Sequence, residues 1–249
     1  MLIKQTEEQL RTLRLNAMLE QWIVIRENPK LRPDTFDDYL GILVDAQLQH
    51  NIHKKILRRQ TTAKLKHKGA CIEDIDYVSK RKMDIEIMRA LVTCQWVDLH
   101  QNLLIEGPTG IGKSWIACAI GNQAIRQDKL VVYKRLSRLL EELERARGEG
   151  VLPEFRMKLA KADLLILDDW AIEPITRKGR SDLLEVIEDQ TGSGSIMITS
   201  QLPVNKWHAF IGEATIADAI LDRIVHNAHH LQLDGPSMRK KNGLLKEKL

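Results

Sequence analysis

Residues 107–114 read GPTGIGKS, and no other stretch limits so tightly what this chain can fold into. An apolar run at 103–105 reads as a short buried strand, and an apolar-rich segment of good helix formers begins at Lys113. Strand, glycine loop and helix in that order form the setting in which G-x-x-x-x-G-K-[ST] holds phosphate. Gly107, Gly110 and Gly112 let the backbone curl until successive N–H groups point at an anion, with Pro108, Thr109 and Ile111 between them. Lys113 brings a positive charge to the β and γ phosphates. Ser114 offers a hydroxyl to Mg²⁺, and the helix beginning there aims its positive dipole end at the same place. Together the eight positions imply a nucleotide site.

Binding alone is not hydrolysis, which also needs a metal and a polarised water. The stretch ADLLILDDW supplies an apolar strand, 164–167, ending in Asp168 and Asp169. An acid at such a strand end holds the Mg²⁺ shell in phosphate-loop proteins, so Asp168 is assigned to the metal. Asp169 is then placed to orient or deprotonate the attacking water. It is shorter than the glutamate common there. In MITSQLP the polar residues at the carboxyl end of the next strand face the ligand crevice. Gln201, or else Ser200, could sense the γ-phosphate, unless the segment is ordinary turn chemistry before Pro203.

Further along, TIADAILDRIVHNAHH reads as a helix with Arg223 at the border of its apolar stripe. Its neighbours three and four away, Ala219, Ile220, His226 and Asn227, include no acid. Such a cation is either a surface arginine or one inserted into a neighbouring copy's phosphate site. Arg239, in GPSMRK, could add a second cation from the same chain. The histidines His226, His229 and His230 have metal-like spacing, but no acid or cysteine completes a set.

Beyond these motifs the chain divides in two. Short β-type runs at 103–105, 131–133, 164–167, 196–199 and 230–233 alternate with helical segments, which predicts a five-stranded parallel sheet flanked by helices. The amino-terminal part instead carries Leu and Met at helical spacing. Pro33 with Asp34 or Thr35 marks a helix start, and Phe36, Leu40, Leu43, Val44 and Leu48 share one face of that helix. The expected organisation is a small all-helical domain over 1–80, serving partner or DNA contact, and an α/β ATPase domain over 81–249.

Only 4% of the residues are aromatic against 43% hydrophobic, so an aliphatic core is expected. No apolar run nears the ~20 residues of a membrane span, and no signal-peptide core opens the chain. Cys71, Cys94 and Cys118 fit neither a disulfide framework nor a zinc spacing, which predicts a reduced, cytoplasmic setting. The net charge is +4 but uneven: residues 50–70 hold seven Lys or Arg and no acid. Lys54, Lys55, Arg58, Arg59, Lys64 and Lys66 in that stretch could meet the phosphates of a nucleic acid, or simply form a solvated face.

GPTGIGKS, LLILDDW, ITSQLP and ADAILDRIVHNAHHLQLDGPSMRK together resemble the IstB family, helper ATPases of bacterial insertion sequences. That family is close to the helicase loader DnaC and belongs to the initiator group of AAA+ ATPases. The resemblance covers nearly the whole chain. It implies a P-loop AAA+ fold and an ATP- and Mg²⁺-dependent homo-oligomer that assembles on duplex DNA and serves a cognate transposase. It also places residues 107–114 on Walker A, Asp168 and Asp169 on Walker B, Gln201 on sensor 1, Arg223 on the arginine finger and Arg239 on a sensor 2-like position. Asn is commoner than Gln at sensor 1. About 16 residues follow the last strand, so no carboxyl-terminal lid domain is expected, as in the loader-like members. Two alternatives share this core: a DnaC-like helicase loader, and a nucleotide-gated DNA scaffold with negligible turnover.

Overall fold

The structure, a computed structural model, describes residues 2–77 and 83–238. Two compact units divide it, Met1–Arg58 and Arg59–Leu249. The first contains α1 (Leu2–Thr12), α2 (Asn16–Glu27) and most of α3 (Phe36–Ala63). Arg14, at φ 61°, breaks the chain between α1 and α2. Thr35 caps the start of α3: its hydroxyl accepts from the Asp38 N–H at 3.1 Å and donates to the Asp38 carboxylate at 2.6 Å. Leu19 and Ile25 are buried here, and Arg26 pairs with Glu7 at 2.9 Å. Phe36, Leu40, Val44 and Leu48 do line one side of α3, and that side is exposed.

The second unit adds α4 (Ile85–Val92), α5 (Gln95–Asp98), β1 (Asn102–Glu106), α6 (Lys113–Arg126), β2 (Val131–Arg135), α7 (Leu136–Gly148) and α8 (Leu152–Ala160). After these come β3 (Leu164–Trp170), α9 (Arg177–Gln190), β4 (Ser195–Ser200), α10 (Trp207–Ile211), α11 (Ala214–Val225) and β5 (Ala228–Gln232). The sheet order is β2-β3-β4-β1-β5, every pair parallel. Parallel strands need crossovers, and the helices that supply them cover both faces. Leu165, Leu167, Ile196 and Ile198 turn to one face, in one cluster with residues of α7, α9 and α11. Ile166 turns to the other, where a Cβ built on Gly121 of α6 would come within 2.9 Å of it. Trp170 stacks on Trp207 at 5.2 Å in the first cluster, so it is a core residue. Cys118 is fully buried in α6, and burial pushes its thiol up to about 11.

The expected five strands are present, each longer than its apolar run. Residues 59–77 are held within the second unit. Arg59 pairs with Asp128 at 3.0 Å, Gln60 donates to Asn122 at 3.2 Å, and Arg126 pairs with Glu73 at 2.7 Å.

Candidate nucleotide site

The loop at 107–112 is tied at its start. Gly107 N–H donates to Ser200 O at 3.2 Å, and Leu233 N–H donates to Glu106 O at 2.8 Å. Gly107 has φ 151°, and a Cβ there would lie 2.3 Å from the Leu233 carbonyl oxygen. Gly110 has φ 79°, and a Cβ there would lie 2.3 Å from Ser237 Oγ. Only glycine fits either place. Lys113 opens α6 and folds back, its Nζ donating to Gly107 O at 2.7 Å and Pro108 O at 3.0 Å. The ammonium therefore sits inside the loop, where phosphate oxygens would replace those carbonyls.

Asp168 faces this loop across the sheet. Its Oδ1 accepts from Ser114 Oγ at 2.7 Å and from Thr199 Oγ1; its Oδ2 accepts from Tyr133 OH, with Lys66 Nζ 3.4 Å away. The side chain is fully buried. Burial opposes its charged form, yet the hydrogen bonds from Thr199, Tyr133 and Ser114, with Lys66 beside it, outweigh that and hold its carboxyl below the usual value. Burial, and then the Asp168 charge, push the Tyr133 hydroxyl well up, so it stays a donor. A hydroxyl and a carboxylate converging at 2.7 Å are hard oxygen donors, and that donor set fits Mg²⁺.

Asp169 sits in a bulge of β3, with φ 61°. Its N–H donates to Thr199 Oγ1 at 3.2 Å, and its carboxylate lies 3.4 Å from Arg135 Nε and 3.8 Å from Lys66 Nζ. Thr199 therefore joins the two acids through one hydroxyl. Tyr133, Thr199 and Arg135 are not among the residues the sequence pattern singles out. The available signals are a threonine within an apolar buried strand and the register that sets Arg135 beside Asp168.

At the end of β4 the two sensor candidates separate. Ser200 Oγ is consumed by the turn, donating to Leu202 O at 2.8 Å and accepting from Leu202 N–H at 3.0 Å. Gln201 stands exposed beside the loop. Met238 N–H donates to Gly110 O at 2.9 Å, so the segment after β5 lies on the phosphate loop. Arg239, the next residue, lies outside the described residues.

Arg223 has no acid among its helical neighbours, but it meets one from α9. Its Nη2 lies 2.7 Å from Glu188 Oε1, and its Nη1 donates to Ala219 O at 2.7 Å. Glu188 precedes it by 35 positions, beyond the reach of helical-neighbour reasoning. Arg223 also stands at the wrong end of the sheet for its own loop. Asn102, the first residue of β1, donates through its side-chain amide to the Arg223 carbonyl at 3.0 Å. The phosphate loop follows the other end of that strand, roughly 13 Å away at 3.3 Å per residue. Beside Arg223 is a cavity of about 370 Å³ lined by His100, Asn102, Thr191, Gly192 and Asn227.

Arg59 and Lys66, among the six basic residues offered to nucleic acid, meet acids within the chain. Arg59 pairs with Asp128, and Lys66 faces the acids of the nucleotide site. Both partners lie far along the chain, at separations a charge count does not reveal. Gln101 Oε1 accepts from His229 Nε2 at 2.8 Å, and His226 lies 3.4 Å from Asp222.

A family model described as IstB-like ATP binding protein matches residues 8–246. The insertion sequence protein y4pL of Sinorhizobium fredii (strain NBRC 101917 / NGR234), named as ATP-binding, is 43% identical over 240 residues, covering 96% of this chain and 98% of that protein. The protein of insertion sequence IS1162 from Pseudomonas fluorescens, also named as ATP-binding, is 42% identical over 207 residues, 82% of this chain and 88% of that one. Among solved structures, DnaI superposes with a TM-score of 0.55 at 19% identity, over 66% of this chain and 91% of that one. AMPPCP-bound DnaA from Aquifex aeolicus gives 0.50 at 19% identity, over 66% and 50%. At such identities the structural likeness concerns the fold alone.

Proposed function

The chain belongs to the family of IstB-like ATP-binding proteins, and from that premise we propose that it is an ATP-hydrolysing helper of transposition. It assembles on duplex DNA as a homo-oligomer and regulates or stimulates a cognate transposase. ATP lies in the 107–112 loop with Lys113 on its phosphates, and Ser114 and Asp168 hold Mg²⁺. When bound, that metal neutralises charge that builds on the transferred phosphoryl group. Asp169 orients the attacking water, Gln201 senses the γ-phosphate, and Arg239 adds a cation from the segment already on the loop. The setting is the cytoplasm; among the described residues no helix is long and apolar enough to cross a membrane.

One observation carries the assembly: Arg223 is remote from its own phosphate loop and borders an open cavity. It therefore suits a neighbouring copy's nucleotide, completing in trans a charge balance that one protomer leaves unfinished. Its bond to Glu188 joins side chains 30% and 40% exposed. Such surface pairs contribute about 0.2–1 kcal/mol, so the arginine can change partner readily. Lys54, Lys55, Arg58 and Lys64, in the stretch without acids, are the basic residues for DNA phosphates. The helices of the first 80 residues serve partner contact, supported by the exposed apolar side of α3.

The test is phosphate release with duplex DNA present. Lys113→Ala is expected to lose nucleotide binding and assembly. Arg223→Ala is expected to bind ATP normally but to lose turnover by about 10³-fold, the low end for arginine fingers. Full turnover by assembled Arg223→Ala would contradict the trans arrangement. A second reading, an ATP-gated scaffold without useful turnover, is favoured by Asp169 being held between Arg135 and Lys66. Negligible phosphate release by the wild type on DNA with transposase would select it.

A further inference from the structure

Lys66 lies in the segment that links α3 to α4. α3 ends at Ala63, and Lys64, at φ 53°, turns the chain. Leu65 is buried against α6, where a Cβ on Gly121 would come 3.2 Å from Leu65 Cδ2. Asn122 of the same helix clips the segment: its side-chain amide donates to Lys68 O at 3.1 Å and Ala70 O at 2.7 Å, and its oxygen accepts from Gln60 at 3.2 Å. α6 is the helix that begins with Lys113. Residues 60–70 are thus fastened to the phosphate-loop helix, and they present one ammonium group to the two acids.

That group lies 3.4 Å from Asp168 and 3.8 Å from Asp169, with a side chain 25% exposed. Arg135 is a second cation facing Asp169. A fully buried carboxylate is costly unless its charge is balanced, and at Asp168 the Lys66 ammonium supplies that balance. The same carboxylate belongs to the oxygen set that fits a divalent metal. Two cations cannot share it without mutual repulsion.

We propose that Lys66 is a tethered counter-ion that neutralises the metal-holding carboxylate of Asp168 from its other oxygen, competes electrostatically with Mg²⁺, and gives way when Mg²⁺ and nucleotide load. This rests on the nucleotide reading of the same site. Residues 64–70 then register whether the site is filled. Because they continue directly from α3, occupancy is relayed to the end of the helix that carries Lys54, Lys55 and Arg58.

The test is Mg²⁺-dependent binding of a fluorescent ADP, which requires no turnover, to the full chain. Lys66→Met keeps the aliphatic stem and removes the charge. Its Mg²⁺ midpoint is expected to fall about tenfold, since a like charge within about 4 Å has been removed. Lys66→Arg stays within about twofold of the wild type, as does Lys158→Met, the same charge change at an exposed site on α8. In the wild type, amide exchange over 64–70 rises when Mg²⁺ and ADP are added. Lys66→Gln repeats the measurement should the Met variant unfold. An unchanged midpoint in the charge-removed variants, or an equal shift in Lys158→Met, overturns the proposal. If the wild type binds no nucleotide at any Mg²⁺ concentration, the nucleotide site itself is what fails.

Discussion

Asp168 shows how a single buried carboxylate is kept charged. Buried and accepting from three hydroxyls, it stays ionised below the usual range, so ionisation is easier folded than unfolded. Its contribution to stability is therefore present above the unfolded value of about 3.9 and is lost as pH falls through the lower folded value. Tyr133→Phe removes one donor and raises the folded value. Acid unfolding should then begin at higher pH, and neutral stability should fall by about 1.5–3 kcal/mol, as for hydrogen bonds to charged groups. Denaturant melts across the acid limb check this, and a limb identical to the wild type would count against it. Asp168 and Asp169 are legible because they end an apolar run. Tyr133, Thr199 and Lys66 are not, since they reach Asp168 from 35, 31 and 102 positions away. Lys66 looks like a surface charge for the same reason.

At the scale of elements, local pattern located the strands and tertiary pairing set their ends. β3 continues through both acids to Trp170, although charged residues look like a strand's end. A register shift and the Thr199 bond to Asp169 N–H accommodate them. β5 begins at Ala228, two residues before its apolar run, because Ala228 and His229 pair with Asn102 and Leu103 of β1. The phosphate loop was legible almost completely, since glycine identity and backbone shape coincide there. Gly107→Ala should cost about 2–4 kcal/mol from left-handed strain and collision with the Leu233 carbonyl. Gly41→Ala in α3, where a Cβ meets nothing within 4 Å, should instead stabilise by about 0.5–1 kcal/mol. Urea midpoints of the two variants shifting in the same direction would contradict this contrast.

At the scale of the molecule, the two compact units meet within a single helix. α3 runs without a proline or a break through the boundary at Arg58 and Arg59. What assigns residues 59–77 to the second unit is long-range: Asn122, Asp128 and Arg126 hold them. The larger consequence concerns neighbouring copies. One protomer places Lys113, Ser114, Asp168 and Asp169 at one end of its sheet and Arg223 at the other. The central claim is that two copies build each working site. Mixing two inactive variants on duplex DNA tests it most directly: Asp169→Asn, which keeps the Lys113 loop and so still assembles, supplies an intact Arg223, and Arg223→Ala supplies an intact loop and Asp169. Mixed assemblies should regain up to about a quarter of wild-type turnover, the share of random adjacent pairs with both intact halves at one interface. Mixtures no more active than either variant alone, in complexes shown to contain both, would contradict it.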